Sequence, residues 1–257
     1  MELLAVARKT RQNAHAPYSS FLVGAALLAL DGTLTPGCNV EVAADSGTCA
    51  EGVAVANAIT QGALARGQKF IRAVAITTEI TAEDSDKGLA NSSPCGICRQ
   101  VLHDFADEKT CSVILDDRQD GIEYPLAKFL PYGFRMLRPE AKIVLADCTA
   151  LEAAARTDPS PENLARIAKA ISANAAAHTR GQPEGAVIIT RDGKAFCGVS
   201  VENSNANHYT RALAVAANRA VLSGQRGKFV AQYAVYSSNQ QLTPPNPALL
   251  EEFFIRP

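Results

Sequence analysis

The chain has 257 residues, 47% of them hydrophobic and 20% charged, with 25 basic residues against 26 acidic and a net charge of -1. That balance belongs to a folded globular protein with length enough for two cores, and it excludes a disordered or fibrous chain. No basic block is present to neutralise phosphates, which disfavours a polynucleotide partner, and no apolar run is long enough to span a bilayer.

In chain order, "MELLAVARKTRQ" has the spacing of an amphipathic helix rather than of a secretion signal, so the expected compartment is the cytoplasm. "FLVGAALLAL" (21–30) predicts a strand covered on both faces, and "DGTL" predicts a turn into a second strand near Cys38. A helix from about Thr48 into the sixties, strands at 71–78 and 111–116, and a helix at about 95–107 between them complete the first half. Strands alternating with helices imply an α/β domain with helices on both faces of a sheet. Around Pro159 a Pro-rich link precedes a helix, with Ser160 as N-cap and Pro161 at the first helical position.

The chain also matches itself when shifted by 161 residues. Gly24 and Ala25 meet Gly185 and Ala186; Asp31, Gly32 and Gly37 meet Asp192, Gly193 and Gly198; Val40 and Glu41 meet Val201 and Glu202; Ala56 and Asn57 meet Ala217 and Asn218. A tandem duplication follows, with domains expected at 1–150 and 151–257. In the ungapped register Cys49 falls on Thr210 and Glu51 on Ala212. The counterpart of "PCGIC" would lie near "PPNPALL" (244–250), and no cysteine follows Cys197, so the fold repeats and the chemistry does not.

An odd number of cysteines, seven, in a chain without a secretion signal argues for reduced thiols. Cys49 stands at a predicted helix start, and Cys95 and Cys98 lie one turn apart on another helix. Unpaired N–H groups and the helix dipole at such starts favour thiolate. Three thiolates suit Zn²⁺ and leave a fourth tetrahedral position for water, whose proton Glu51 is placed to handle. Each element also has a plain structural meaning: Thr48 and Glu51 fit a capping box, and Cys98 with Val101, Leu102 and Phe105 fits a core stripe. Together, C-x-E and P-C-x-x-C match the signature of the zinc deaminases, with Cys in place of the usual first His.

On "APYSSFLVGAALLALDGTLTPGCNVE", "CAE", "PCGICRQ" and "FLPYGF", about residues 16–134, the first half resembles the cytidine deaminase family. The resemblance implies a three-layer α/β/α fold, duplicated in tandem here, and zinc-dependent hydrolytic deamination of cytidine and 2′-deoxycytidine in pyrimidine salvage. It implies Cys49, Cys95 and Cys98 as the Zn²⁺ ligands and Glu51 as proton shuttle. Asn39 and Glu41 would hold the ribose hydroxyls, and Phe21 and Phe134 would line the pocket, the latter across a subunit interface. The backbone around Ala50, with Glu51, would read the amino group and N3 of cytosine.

Three departures stand out. Gly52 occupies the position where short three-cysteine relatives carry an Arg that offsets the thiolate charge, leaving the two helix N-termini, Arg99 and Arg211 as candidates for that duty. Asp45 stands where those relatives often have a Tyr near the sugar 5′ end, which favours a nucleoside over a nucleotide. The length resembles the two-domain class, implying a homodimer whose second halves shape the pocket without binding zinc. A deaminase of another cytosine nucleoside such as blasticidin S, and a nucleoside-binding zinc protein without activity, are the alternatives. Cys38, Cys111, Cys148 and Cys197 are expected to be buried thiols, and His103 is not expected as a fourth ligand.

Overall fold

A computed structural model describes residues 2–42, 47–79, 92–135, 145–177, 179, 181–205, 209–238 and 251–253. Asp45, His178, His208 and the "PPNPALL" stretch lie outside the described residues. The chain forms two compact units. The first comprises Met1–Glu41, Thr48–Val55 and Gly67–Arg135; the second comprises Val42–Gly47, Ala56–Arg66 and Met136–Pro257.

The first unit opens with α1 (Glu2–Arg11), whose Leu3, Leu4, Ala7 and Thr10 are buried on one helical face. β1 (Val23–Ala29) and β2 (Leu34–Cys38) form a hairpin, and α2 (Ala50–Thr60), whose residues up to Val55 belong to this unit, follows. Then come β3 (Ile71–Thr78), α3 (Gly96–Phe105), β4 (Ser112–Leu115) and β5 (Ile122–Pro125). The sheet order is β2-β1-β3-β4-β5, antiparallel except for the β3–β4 pair that α3 bridges. β5 has no counterpart in the sequence pattern, because its four residues are alternately half-buried and exposed at a sheet edge.

Two glycines fix the layering. A Cβ on Gly24 would collide with the Ala7 carbonyl and the Arg11 amide, so α1 lies directly against β1. A Cβ on Gly37 would collide likewise with Ala50 and Ala54 of α2. Gly37 pairs with Ala25, the neighbour of Gly24, and successive strand residues point to opposite faces. α1 and α2 therefore cover opposite faces, and the unit is the expected α/β/α sandwich.

The second unit contains α4 (Cys148–Thr157), α5 (Pro161–Ile171), β6 (Glu184–Thr190) and β7 (Ala195–Val199). The short pair β8 (Val201–Glu202) and β9 (Tyr209–Thr210) precedes α6 (Ala212–Leu222) and β10 (Val230–Ser237). All five β1–β2 pairs recur 161 residues later in β6–β7, from Gly24↔Cys38 against Gly185↔Val199 onward. Gly185 admits Ala168 and Ser172 of the α5 region as Gly24 admits Ala7 and Arg11. Loop bonds repeat too: Val23 N donates to Asn39 Oδ1 (2.8 Å), and Glu184 N to Ser200 Oγ (3.0 Å).

Beyond Glu202 the repeat slips by one residue. Val40 bridges Thr48, whereas Val201 pairs with Thr210, and Gly198 faces Ala212 and Ala216 where Gly37 faces Ala50 and Ala54. The ungapped register is corrected accordingly. Arg211, not Thr210, stands in the place of Cys49, and Leu213, not Ala212, in that of Glu51.

Asp116, 4% exposed, ties α1 to the end of β4. It accepts from Arg8 Nε (2.9 Å) and Nη2 (2.6 Å), Thr77 Oγ1 (2.7 Å) and Arg118 N (2.8 Å). Burial alone would raise its pKa, but these donors outweigh burial and hold it at about 2. A depressed carboxylate adds stability above its unfolded pKa, near 3.8, and loses it as pH falls through about 2. We expect Asp116→Asn to cost about 1–2 kcal/mol at pH 7, after allowance for solvent around Arg8, and much less at pH 2. Urea melts at the two pH values check this; an equal loss at both would contradict it.

Candidate active site

Cys49 immediately precedes α2, Cys95 is the N-cap of α3, and Cys98 lies in its first turn. Two loops thus deliver sulfur to two helix starts. Cys49 Sγ and Cys95 Sγ are 3.8 Å apart, and with Cys98 Sγ all three lie within 4.8 Å of one another. A tetrahedral ion with Zn–S bonds of about 2.3 Å sets its sulfurs about 3.8 Å apart, so the donor set fits zinc. Three donors leave one position over, as a catalytic rather than a closed site requires.

The cluster is electrostatically asymmetric. Hydrogen bonds from the Cys49 and Cys98 thiols, and from the backbone N–H groups of Cys98 and Ile97, pull Cys95 down to about 2. Donation to Cys95 pushes Cys49 up to about 12, and Cys98 is raised well above an ordinary thiol by its neighbours and by burial. Ligation by all three sulfurs would require each thiol to give up its proton.

Glu51, 4% exposed, stands beside these sulfurs. Burial, reinforced by the charge of Cys95, pushes it up to about 7, while its own backbone N–H and the Cys98 thiol oppose the rise. A carboxyl poised near neutrality can both take and return a proton. Thr48 is bonded through its backbone to Val40, and Cys49 takes the position before the helix. Cys98 fulfils both of its meanings, packed in the stripe with Leu102 and Phe105 and pointing its sulfur into the cluster.

The residues expected at the sugar form a second constellation. Asn39 donates from Nδ2 to Phe21 O (2.8 Å) and accepts from Val23 N (2.8 Å). Glu41 accepts from Tyr18 N (3.1 Å), Ser19 N (3.0 Å) and the Ser19 hydroxyl. Ala50 is the buried first residue of α2. Phe21 is 36% exposed and Phe134 58%. Ser19 and Gln100, which holds Phe134, carry no sequence signal beyond their place inside longer matches.

Arg99 donates to Pro94 O (2.7 Å) and Phe129 O (3.3 Å), with its guanidinium 5.7 Å from the centre of the Phe129 ring. It braces the loop before Cys95 and is not engaged with sulfur. Backbone N–H groups of Ile97 and Cys98, at the start of α3, point to Cys95. His103 is buried outside the sulfur cluster, against Gly133.

Residues 1–114 match the family described as the cytidine and deoxycytidylate deaminase zinc-binding region. The cytidine deaminase of Sporosarcina psychrophila is 37% identical over 52% of this chain and 89% of its own length. The chain belongs to the cytidine deaminase family. The cytidine deaminase of Vibrio vulnificus strain YJ016 is 25% identical over 88% of this chain and 69% of its own. A solved cytidine deaminase from Burkholderia pseudomallei shares 34% identity over 52% of this chain and 97% of that one, with a TM-score of 0.43.

Within the second unit, the elements that repeat β1, β2 and α2 carry different side chains at the helix start. Arg211 pairs with Glu184 (3.1 Å), and Glu184 also accepts from Ala212 N (3.4 Å). A carboxylate and a guanidinium thus occupy the helix end that in the first unit carries the thiol. Glu202 keeps the habit of Glu41, accepting from Thr179 N (2.6 Å) as Glu41 accepts from Tyr18 N. At both positions the carboxylate secures the segment before the unit's first strand.

Cys148, Glu152 and Cys197 also come within 4.8 Å of one another. Arg219 sits among them, donating to Glu152, to Cys197 O (2.7 Å) and to Cys148 Sγ (3.5 Å). A cation already holds that cluster, which therefore does not fit a metal.

Proposed function

We propose that the chain catalyses hydrolytic deamination of cytidine and 2′-deoxycytidine to uridine and 2′-deoxyuridine, within pyrimidine salvage. The observation that carries this reading is three sulfurs at zinc spacing beside the buried carboxyl of Glu51. Cys49, Cys95 and Cys98 would hold Zn²⁺, which when bound supplies the Lewis acidity that makes water nucleophilic near neutral pH. Glu51 takes a proton from the attacking water, passes it to N3 of cytosine, and returns a proton to the departing amine. The balance is one water consumed, the C4–N bond broken, a C4–O bond formed and ammonia released.

Recognition falls to the remaining residues. Glu41 uses three of about four carboxylate acceptor positions on the 18–19 backbone and Ser19, leaving room for a ribose hydroxyl. Asn39 keeps one amide N–H beyond its bond to Phe21. Phe21 and Phe134 offer ring faces to base and sugar, and the backbone at Ala50 meets the amino group.

We assign catalysis to 1–150 and read 151–257 as a degenerate deaminase-like domain without zinc ligands. The chain works as a homodimer on a small nucleoside in the cytoplasm; among the described residues no helix is long and apolar enough to cross a membrane. Ammonia release from cytidine, 2′-deoxycytidine and blasticidin S, with metal analysis of the same sample, tests the reading. One zinc per chain with turnover of the two nucleosides supports it. Zinc without turnover of either nucleoside overturns it.

A further inference from the structure

The helix that carries the thiol pair also grips the aromatic segment 129–134. Gln100 stands two residues beyond Cys98, about 3 Å further along the axis of α3. Its carboxamide makes both hydrogen bonds that the backbone of Phe134 can offer: Nε2 donates to Phe134 O (2.7 Å) and Oε1 accepts from Phe134 N (3.1 Å). Nε2 also donates to Asp104 Oδ1 (3.1 Å), one turn later on the same helix, which fixes the orientation of the amide. One turn below, the ring of His103 lies where a side chain on Gly133 would have to go. A Cβ at position 133 would meet that ring at 2.5 Å, so a larger residue there would force the ring or the segment to shift.

The outcome is unusual for an aromatic residue. The backbone of Phe134 is pinned from both sides while its ring is left 58% exposed. A tail residue needing only to be tied down would bury its ring, the larger source of stabilisation. A clamp that spends a side-chain amide on the backbone and leaves the ring open serves to aim the ring.

We propose that Gln100 is a positioning residue for the nucleoside, holding Phe134 where its exposed ring lines the pocket across the subunit interface. This rests on the proposed function and on the place of Phe134 within it. Gln100 touches neither base nor sugar; it acts through Phe134 alone.

A double-mutant cycle tests this in the full-length zinc-loaded protein. Gln100→Leu keeps a good helix former of similar size and removes both hydrogen bonds. It is expected to raise KM for cytidine about tenfold, the loss of roughly 1.4 kcal/mol of positioning, with kcat changed less than about threefold. Zinc content stays as in the unaltered protein. In a Phe134→Ala background the same substitution changes KM less than about twofold, because the ring it aims is gone. Equal effects of Gln100→Leu in both backgrounds would overturn the assignment. So would lost zinc or a lowered melting temperature with KM unchanged, since either makes Gln100 a purely structural contact. Failure of the unaltered protein to deaminate cytidine would sink the functional reading itself, and this proposal with it.

Discussion

Glu51→Gln is expected to lower kcat on cytidine by about 10²–10⁴-fold while zinc content stays near that of the unaltered protein. The amide matches the carboxyl in size, so the buried site at the start of α2 keeps its packing. It cannot take a proton from water or return one to the amine. Folding stability should hold or rise slightly, because burial already disfavours the charged form of this carboxyl and the amide removes that penalty. Steady-state kinetics beside metal analysis and a melting curve check all three expectations. Loss of zinc along with activity would mean that Glu51 is a ligand rather than the proton carrier.

The second large effect concerns the sulfurs. Cys98→Ser preserves size and polarity but replaces a soft ligand by a hydroxyl that rarely ionises, so zinc affinity should fall by about 10²-fold or more and turnover with it. Cys111 is the control. It is buried to 1% exposure, burial raises its thiol, and among the described residues it belongs to no cluster of metal-ligating groups. Cys111→Ser should retain zinc and kcat and lose about 1–3 kcal/mol of stability. Titration with a chromogenic chelator separates the two variants. Equal zinc loss in both would show that metal binding fails through unfolding and not through a missing ligand.

Much of this molecule was legible before any coordinates, because its signals are local. β3 occupies 71–78 as its apolar run predicts, and β1 and α3 fall inside their predicted windows. The duplication was visible because glycines such as Gly24 and Gly185 mark places where only hydrogen fits between helix and strand. The short edge strand β5 was invisible, since alternating half-exposure over four residues gives no hydrophobic period. α4 was hidden in an Ala-rich stretch; its start is declared only by Asp147 accepting from Ala150 N (3.0 Å). The one-residue slip after Glu202 falls in a loop, where composition carries no register.

At the site, the three thiols and Glu51 could be picked out from spacing, and the structure brings the sulfurs within 4.8 Å of one another. What spacing could not show was the division of labour around them. Arg99, which looked available to balance charge, is committed to Pro94 and Phe129 carbonyls. Gln100 looked like an unremarkable polar helix residue until Phe134 arrived from 34 positions away. Cys148 and Cys197 looked like separate core thiols, and only the fold brings Arg219 between them. Long-range pairings of this kind depend on where elements pack, and no local pattern encodes them.

X-ray absorption at the zinc edge of the purified full-length protein tests the central claim most directly. Three sulfurs at about 2.3 Å and one oxygen at about 2.0 Å are predicted. A shell of four sulfurs, or one dominated by nitrogen, would contradict it.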